Sequence, residues 1–212
     1  MDTVGDSMTP ILYAKTETRF RSNGSGRLSD AMECYVEEER NATFELRMTY
    51  PRDGIHFESI EEECWIKTRS CPGGKPQLFR IYSIIRKLDD TVEIKAEHIS
   101  YLMSRMVVMP FTASTCAQAL AMIPSHTTAP CPFSFATDKD VTASFNMAEP
   151  RELRGMLGGE QGSILDVFGT GEYEFDNYDV ILHLHRGVDS GVTLRYGKNI
   201  TDLEDTTDLT NT

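Results

Sequence analysis

The stretch GVTLRYGKN at residues 191–199 holds two glycines and a lysine at nearly the spacing of a phosphate-binding loop. That loop, G-x-x-x-x-G-K-[ST], needs four residues between its glycines and a hydroxyl after the lysine to hold Mg²⁺. Here five residues separate Gly191 from Gly197, and Asn199 follows Lys198. The five residues alternate between apolar and polar and are rich in β-forming types, which is typical of a strand. The stretch therefore predicts a strand that turns at Gly197, not a nucleotide site.

A pair of histidines raises the question of a metal site. His183 and His185 are two positions apart in an alternating run, so on a strand both side chains would lie on one face. Two imidazoles on one face are able to bind zinc or copper. However, a site is specified by its full set of ligands, and nothing in the sequence marks a third or fourth ligand. We interpret the pair as a polar strand face opposite Leu182 and Leu184 and predict no metal site; a metal-binding β protein is the alternative.

An acidic stretch could in principle act on a sugar or hold calcium. Its members are Asp166, Glu172, Glu174, Asp176 and Asp179. Two carboxylates across a glycosidic bond can serve as acid and base, and carboxylate oxygens also bind calcium. The spacing matches neither an EF-hand loop nor another fixed pattern, so we predict a solvated or lumen-facing acidic strand.

The cysteines do not form an evident nucleophile or metal site. A cysteine nucleophile needs a histidine base nearby, and Cys116 and His126 are ten residues apart. Cys116 falls in the apolar stripe of a predicted helix, which indicates a small buried side chain. None of the five cysteines forms a C-x-x-C pair, so we predict reduced thiols, with a Cys64–Cys71 disulfide as the alternative. With no G-x-S-x-G elbow either, we predict no catalytic and no cofactor-binding residue.

The charge balance limits the choice of partners. The 212 residues carry 33 acidic and 21 basic side chains, a net charge of −12. This argues against non-specific binding to nucleic acid, which requires clustered cations. It is compatible with a surface past which DNA slides, because a negative wall repels phosphates. The sequence shows no secretory signal at its start and no apolar run long enough for a membrane span.

The hydrophobic pattern predicts a mostly β, α+β protein. Residues 44–50 alternate as a half-buried strand, and residues 78–88 and 91–99 form the clearest hairpin. Short helices are expected at 114–122, ended by Pro124; at 150–157, with Pro150 in the first turn; and at 163–168. Strands then return at 172–184 and 192–196. The change of character divides the chain into a β region (1–104), an inserted α+β subdomain (105–171) and a returning β hairpin with the start of a further segment (172–212).

Four stretches, in this order, resemble the N-terminal structural region of the phage and prophage endopeptidase tail family, also known as tail-associated lysins or tail tip baseplate hub proteins. They are EERNATFELRMTYPRDGIHF (38–57), AEHISYLMSRMVVMPFTASTCAQAL (96–120), MLGGEQGSILDVFGTGEYEFDNYDV (156–180) and RGVDSGVTLRYGKNITDLE (186–204). Each is modest alone, and together they span essentially the whole chain. The run RYGKN then corresponds to a structural strand and turn of this family.

The resemblance implies a virion structural protein at the tail tip. It implies a homotrimeric baseplate hub of tail-tube-like β-barrel domains that closes the tail tube and lets DNA or cargo pass without specific binding. Its expected partners are the distal tail protein and the tape measure protein, with a possible C-terminal lysin or receptor-binding part. Because a lytic domain would lie beyond these stretches, the resemblance implies no enzyme in this chain. A cell-wall peptidase associated with the tail is the alternative function.

Overall fold

The computed structural model describes residues 8–187 together with Gly191 and Thr193. It is mostly β, with 40% strand and 17% helix, which confirms the predicted α+β class. The expected strand at residues 192–196 and its turn at Gly197 lie outside the described residues, except for Thr193.

The first seven strands form one antiparallel sheet. They are β1 (Ile11–Tyr13), β2 (Gly26–Arg27), β3 (Glu33–Glu38), β4 (Phe44–Pro51), β5 (Trp65–Arg69), β6 (Pro76–Arg86) and β7 (Thr91–His98). Their order across the sheet is β2-β1-β5-β6-β7-β4-β3. A 3-10 turn at Phe57–Ser59 lies between β4 and β5, and a second, Ile99–Arg105, follows β7. The predicted hairpin is confirmed, since β6 pairs with β7 along most of its length.

This sheet is curled into a half-barrel. Seven flat strands would place the edge strands about 29 Å apart at the usual spacing of ~4.8 Å. The edge strands β2 and β3 are joined only by residues 28–32, which span at most about 20 Å. The sheet therefore bends around its core, where the alternating residues Phe44, Leu46, Met48 and Tyr50 are buried as expected. Leu28, in the joining segment, is fully buried between the two edges.

The second half of the described chain has its own core. Its elements are β8 (Val107–Val108), β9 (Phe111–Thr115), α1 (Cys116–His126), β10 (Ser134–Thr137), β11 (Thr142–Met147), β12 (Arg151–Glu152), α2 (Leu153–Leu157), α3 (Ile164–Phe168), β13 (Glu172–Asp176) and β14 (Asp179–His183). β9 pairs with β11, β8 with β12, and β10, β14 and β13 form a three-stranded sheet. Apolar side chains from α1, α2 and α3 pack with these strands around one cluster.

Two helix predictions need correction. α1 continues through Pro124 to His126 instead of ending at the proline. Proline fixes φ near the helical value, and Ser125 Oγ and His126 Nδ1 both bond the Met122 carbonyl at 2.8 Å, so the last turn persists. Pro150 does not open a helix, because Arg151 and Glu152 pair with β8 before α2 begins. The helix expected at 163–168 is present, with Ser163 as its N-cap.

The hairpin at 172–183 has strand partners in the second core. β14 pairs in parallel with β10 and antiparallel with β13, and Tyr173, Val180 and Leu182 are buried in the second cluster. By its strand pairing this hairpin lies with the elements of residues 105–171. The division of the chain at 104 and 171 stays a prediction.

Candidate assembly surface

The outer face of the curled sheet is formed by those side chains of β3, β4, β6 and β7 that point away from the core. Its charged members are Glu33, Glu37, Arg47, Glu45, Arg80, Glu93, Lys95 and Glu97. The strand register sorts them into rows: Glu37, Glu45 and Glu97 lie side by side, and Arg47 and Lys95 form the next row. Five acids against three bases make this face negative.

The ion pairs of the outer face are long and partly exposed. Arg47 lies 3.9 Å from Glu37, and Lys95 lies 3.7 Å from Glu93. Pairs of this kind contribute about 0–1 kcal/mol each. They therefore add little to the stability of a single chain, and the excess negative charge remains available to repel other anions.

The same face also exposes large apolar side chains. Tyr35, Tyr82 and Ile85 are 46%, 44% and 43% exposed, and the Tyr82 hydroxyl donates to Glu45 Oε2 at 3.2 Å. Tyrosine is enriched in protein interfaces because it joins apolar area to a polar tip. A face with such side chains among charged rows is suited to contacts with other proteins.

A buried polar network joins the first sheet to the second core. His98, at the end of β7, is fully buried; its Nδ1 lies 3.0 Å from Ser100 Oγ and its Nε2 lies 3.1 Å from Gln77 Oε1. The Asn177 amide, in the β13–β14 turn, donates to the same Gln77 oxygen at 2.9 Å. Burial, aided by the nearby Arg154 guanidinium, lowers the pKa of His98 to about 3. The histidine is therefore a neutral connector at physiological pH.

Further contacts surround the joint between the two cores, which is formed by His98, Gln77 and Asn177. Lys75 bonds the Asp176 carboxylate, and Arg154 stacks over Tyr101 at 4.0 Å while donating to the Ala42 carbonyl at 3.0 Å. The largest influence on the pKa of Arg154 is burial, which lowers it. These groups connect elements that are far apart in the chain, so they fix the relative position of the two cores.

Asn41 forms a second tie between the two cores. It lies in the β3–β4 turn with a left-handed φ of 55°. Its Nδ2 donates to the Gly171 carbonyl and its Oδ1 accepts from the Tyr173 amide, both at 2.8 Å. The side chain of Asn41 thus bonds one carbonyl group and one amide group of the segment that leads into β13.

Lys139 is a buried cation held by carbonyl groups. It is 5% exposed, and its Nζ donates to the carbonyls of Phe168, Gly169 and Thr170 at 3.1, 2.8 and 2.5 Å. These carbonyls follow the C-terminal end of α3, where a positive charge is favourable. Nothing in the sequence pattern distinguishes this lysine from a surface lysine, so sequence analysis missed it.

His183 and His185 do not form a metal pair. β14 ends at His183, and His185 is exposed beyond the strand. His183 Nδ1 lies 3.1 Å from Asp138, and its Nε2 lies 2.8 Å from Glu174. Burial lowers the pKa of His183, but the bonds to Glu174 and Asp138 outweigh it and the net pKa is raised. Within the part of the chain that the structure describes, no group of three or more His, Cys, Asp or Glu side chains is arranged so that it could hold a metal ion.

The acidic stretch consists of separately bonded carboxylates rather than a freely solvated strand. Glu172 pairs with Arg40 at 3.4 Å, Glu174 with His183, and Asp179 accepts from Ser134 Oγ at 2.5 Å. Asp166 accepts from the Gly162 amide at 2.7 Å. Each carboxylate is thus engaged in holding a loop or strand end.

The cysteines are free thiols. Cys116 and His126 open and close α1, so their backbones are about 15 Å apart at 1.5 Å per residue. Burial raises the pKa of the Cys116 thiol, which opposes thiolate chemistry. Cys64 is buried and Cys71 is exposed, and the structure does not join them. None of the described helices is long and apolar enough to cross a membrane.

Comparison with known proteins supplies a structural likeness. No protein-family model matches the sequence, and no curated protein matches it. The chain is similar in fold to the crystal structure of prophage tail protein gp18 from Listeria monocytogenes EGD-e, with a TM-score of 0.64 and 17% identity. The match covers 92% of this chain and 56% of that chain, so this chain spans about half the length of the tail protein.

Proposed function

We propose that this chain is a structural component of the tail of a phage or phage-like particle. The observation that carries the proposal is the likeness of fold to a prophage tail protein over 92% of the chain. It agrees with the resemblance of four ordered sequence stretches to a tail protein family. The joint and the buried polar contacts described above hold elements together, as a structural protein requires.

We further propose that this chain lies at the tail tip, as part of a homotrimeric baseplate hub that closes the tail tube. The net charge of −12 supports a conduit role, because an acidic protein does not retain DNA. The exposed tyrosines of the same face would contact the neighbouring copy or the distal tail protein. The tape measure protein would end in the enclosed channel.

Immunogold electron microscopy tests the location. Particles from the source culture are labelled with an antibody to this chain. We expect gold at the end of the tail far from the head. Gold along the tube would contradict the tip assignment, and unlabelled intact tails with the protein in the soluble fraction would contradict any tail role.

Two solution experiments test the oligomer and the absence of catalysis. Sedimentation equilibrium of the purified chain is expected to report three copies, with Tyr35→Ala and Tyr82→Ala weakening the assembly. A stable monomer at every concentration would argue against trimerisation by this chain alone. In a zymogram with cell-wall substrate we expect no clearing, and clearing would favour a tail-associated peptidase.

A further inference from the structure

A cleft of about 420 Å³ adjoins the joint between the two cores. Three segments that are distant along the chain line it: the loop at 18–21 between β1 and β2, residues 67–78 of β5 and β6, and the β13–β14 turn at 176–178. Its charged lining residues are four cations and one acid, namely Arg19, Arg21, Lys67, Lys75 and Asp176. The described lining is therefore positive, although the whole chain carries a net charge of −12.

The loop that carries the two arginines is held in a strained conformation. Phe20 has a left-handed φ of 51°, which is uncommon for a bulky residue. Its buried ring packs edge-on against Tyr13 and Trp65, with ring centroids 5.4 and 5.5 Å apart. Its carbonyl accepts from Lys67 Nζ at 2.9 Å. Strain that the surroundings maintain in this way clusters at ligand clamps and active sites, so the loop is a candidate for binding.

The Glu17 carboxylate completes this loop and leaves the arginine side chains exposed. Its Oε1 accepts from the backbone amides of the next three residues at 3.0, 2.7 and 3.2 Å. Arg19 and Arg21 follow on either side of the anchored Phe20, and both are exposed. Within the described part of the chain neither forms a salt bridge. The loop thus presents two guanidinium groups beside the cleft.

The other charges of the cleft do not cancel those of the arginines. Lys75 bonds the Asp176 carboxylate, which also accepts from Gln77 Nε2 at 3.0 Å, so this acid is already neutralised. Lys67 bonds a carbonyl group and keeps its full charge. The cleft also has apolar lining residues, which are Phe20, Leu78 and Tyr178. It therefore combines an excess of positive charge with an apolar wall.

We propose that this cleft binds an acidic peptide segment of another protein. Carboxylates of the segment would pair with Arg19 and Arg21, because a guanidinium group binds a carboxylate through two parallel hydrogen bonds. An apolar side chain of the same segment would rest on Tyr178 and Leu78. A long polyanion such as DNA fits less well, since the net charge of the chain repels it. The inference does not depend on the tail function.

Fluorescence anisotropy with the full chain tests the proposal. The probe is a fluorescein-labelled hexapeptide that alternates glutamate and phenylalanine, and a matched peptide has glutamine in place of glutamate. The double variant Arg19→Gln with Arg21→Gln removes both exposed guanidinium groups. Arg52→Gln with Arg86→Gln is the matched control, because it removes the same charge near the other end of β6, about 30 Å away.

The two peptides and the two double variants give distinct outcomes. We expect the glutamate peptide to bind at least about tenfold more tightly than the glutamine peptide, and Arg19→Gln with Arg21→Gln to weaken its binding at least about tenfold. The control variant should change the affinity by less than about twofold. Equal weakening by both double variants, or no binding of the glutamate peptide, would overturn the site. Tighter binding of a labelled single-stranded oligonucleotide would overturn the choice of a peptide.

Two further measurements on the same variants exclude other causes. Because both arginines are exposed, we expect urea unfolding of Arg19→Gln with Arg21→Gln to differ from that of the unchanged chain by less than about 0.5 kcal/mol. In sedimentation equilibrium we expect the same self-association as for the unchanged chain. Loss of self-association in this variant alone would assign the cleft to a second copy and would overturn the proposal of a different partner.

Discussion

The buried histidine at the joint makes the stability of this protein depend on pH in a defined direction. In the neutral ring, Nδ1 accepts from the Ser100 amide at 3.3 Å, so Nε2 carries the proton and donates to Gln77. A second proton on Nδ1 would face the Ser100 amide proton in a site without water access. The fold therefore excludes the charged form of His98, whose pKa falls to about 3.

The direction and the size of the change in stability with pH follow from this shift in the pKa of His98. Above pH 6.5 the His98 ring is neutral in both the folded and the unfolded chain, and its contribution to the stability of the fold is fully present. Below pH 6.5 the unfolded chain takes up a proton that the folded chain refuses until about pH 3, so stability is lost as pH falls. One proton corresponds to about 1.4 kcal/mol per pH unit, so His98 lowers the free energy of unfolding by roughly 2 kcal/mol between pH 7.5 and 5.0.

Urea unfolding at pH 7.5, 6.5, 5.5 and 5.0 measures this loss. His98→Gln keeps an amide that can bond both neighbours but does not titrate, so we expect its stability to fall by about 2 kcal/mol less than that of the unchanged chain over this range. His183→Gln is the opposite control: the raised pKa of His183 stabilises the fold at low pH and this is lost as pH rises. Replacing His183 should therefore make the free energy of unfolding fall more steeply as the pH is lowered. Parallel pH profiles for His98→Gln and the unchanged chain would refute the reasoning.

Three further substitutions test the contacts that hold the second core. Lys139→Met should lower the free energy of unfolding by about 2–4 kcal/mol, because three carbonyl groups lose their buried donor. Lys87→Met is the control, since Lys87 lies on the surface. It should change the free energy of unfolding by less than about 0.5 kcal/mol in the same urea titration. Asn41→Ala should cost about 2–3 kcal/mol, since it loses two hydrogen bonds and keeps a left-handed φ, and Asn41→Gly should cost less because glycine tolerates that φ. Equal costs for the two Asn41 variants would show that backbone strain has no part.

The elements that were predicted correctly are those with a local signal. The alternation from Phe44 to Tyr50 reports one buried face, and the Asp89-Asp90 turn marks the hairpin of β6 and β7. Helices that the sequence predicts to begin at residues 114 and 163 have Thr115 and Ser163 as their N-caps. These signals depend on neighbours within a few residues, which is why they can be read without the structure.

The features that the sequence did not predict depend on contacts between residues that are distant along the chain. The parallel pairing of β10 with β14 joins residues about 45 positions apart, and no local pattern specifies it. The continuation of α1 past Pro124 depends on the side chains of Ser125 and His126, which bond the Met122 carbonyl in the last turn. Lys139 and His98 look like ordinary polar residues until their surroundings are known. For the acidic stretch at residues 166–179, the sequence indicated a solvated or lumen-facing strand but not that each carboxylate is individually bonded.

The joint between the two cores combines apolar and polar contacts, and this combination limits motion within the chain. Phe175 packs against both principal clusters, which excludes water but would permit sliding. The hydrogen bonds of Gln77 and His98 do not permit it, because a buried polar group that loses its partner costs about 1–3 kcal/mol. Displacing the β13–β14 hairpin would break several such bonds at once. If this chain belongs to a tail tip that opens, the movement is therefore expected at contacts between chains rather than at the joint within one.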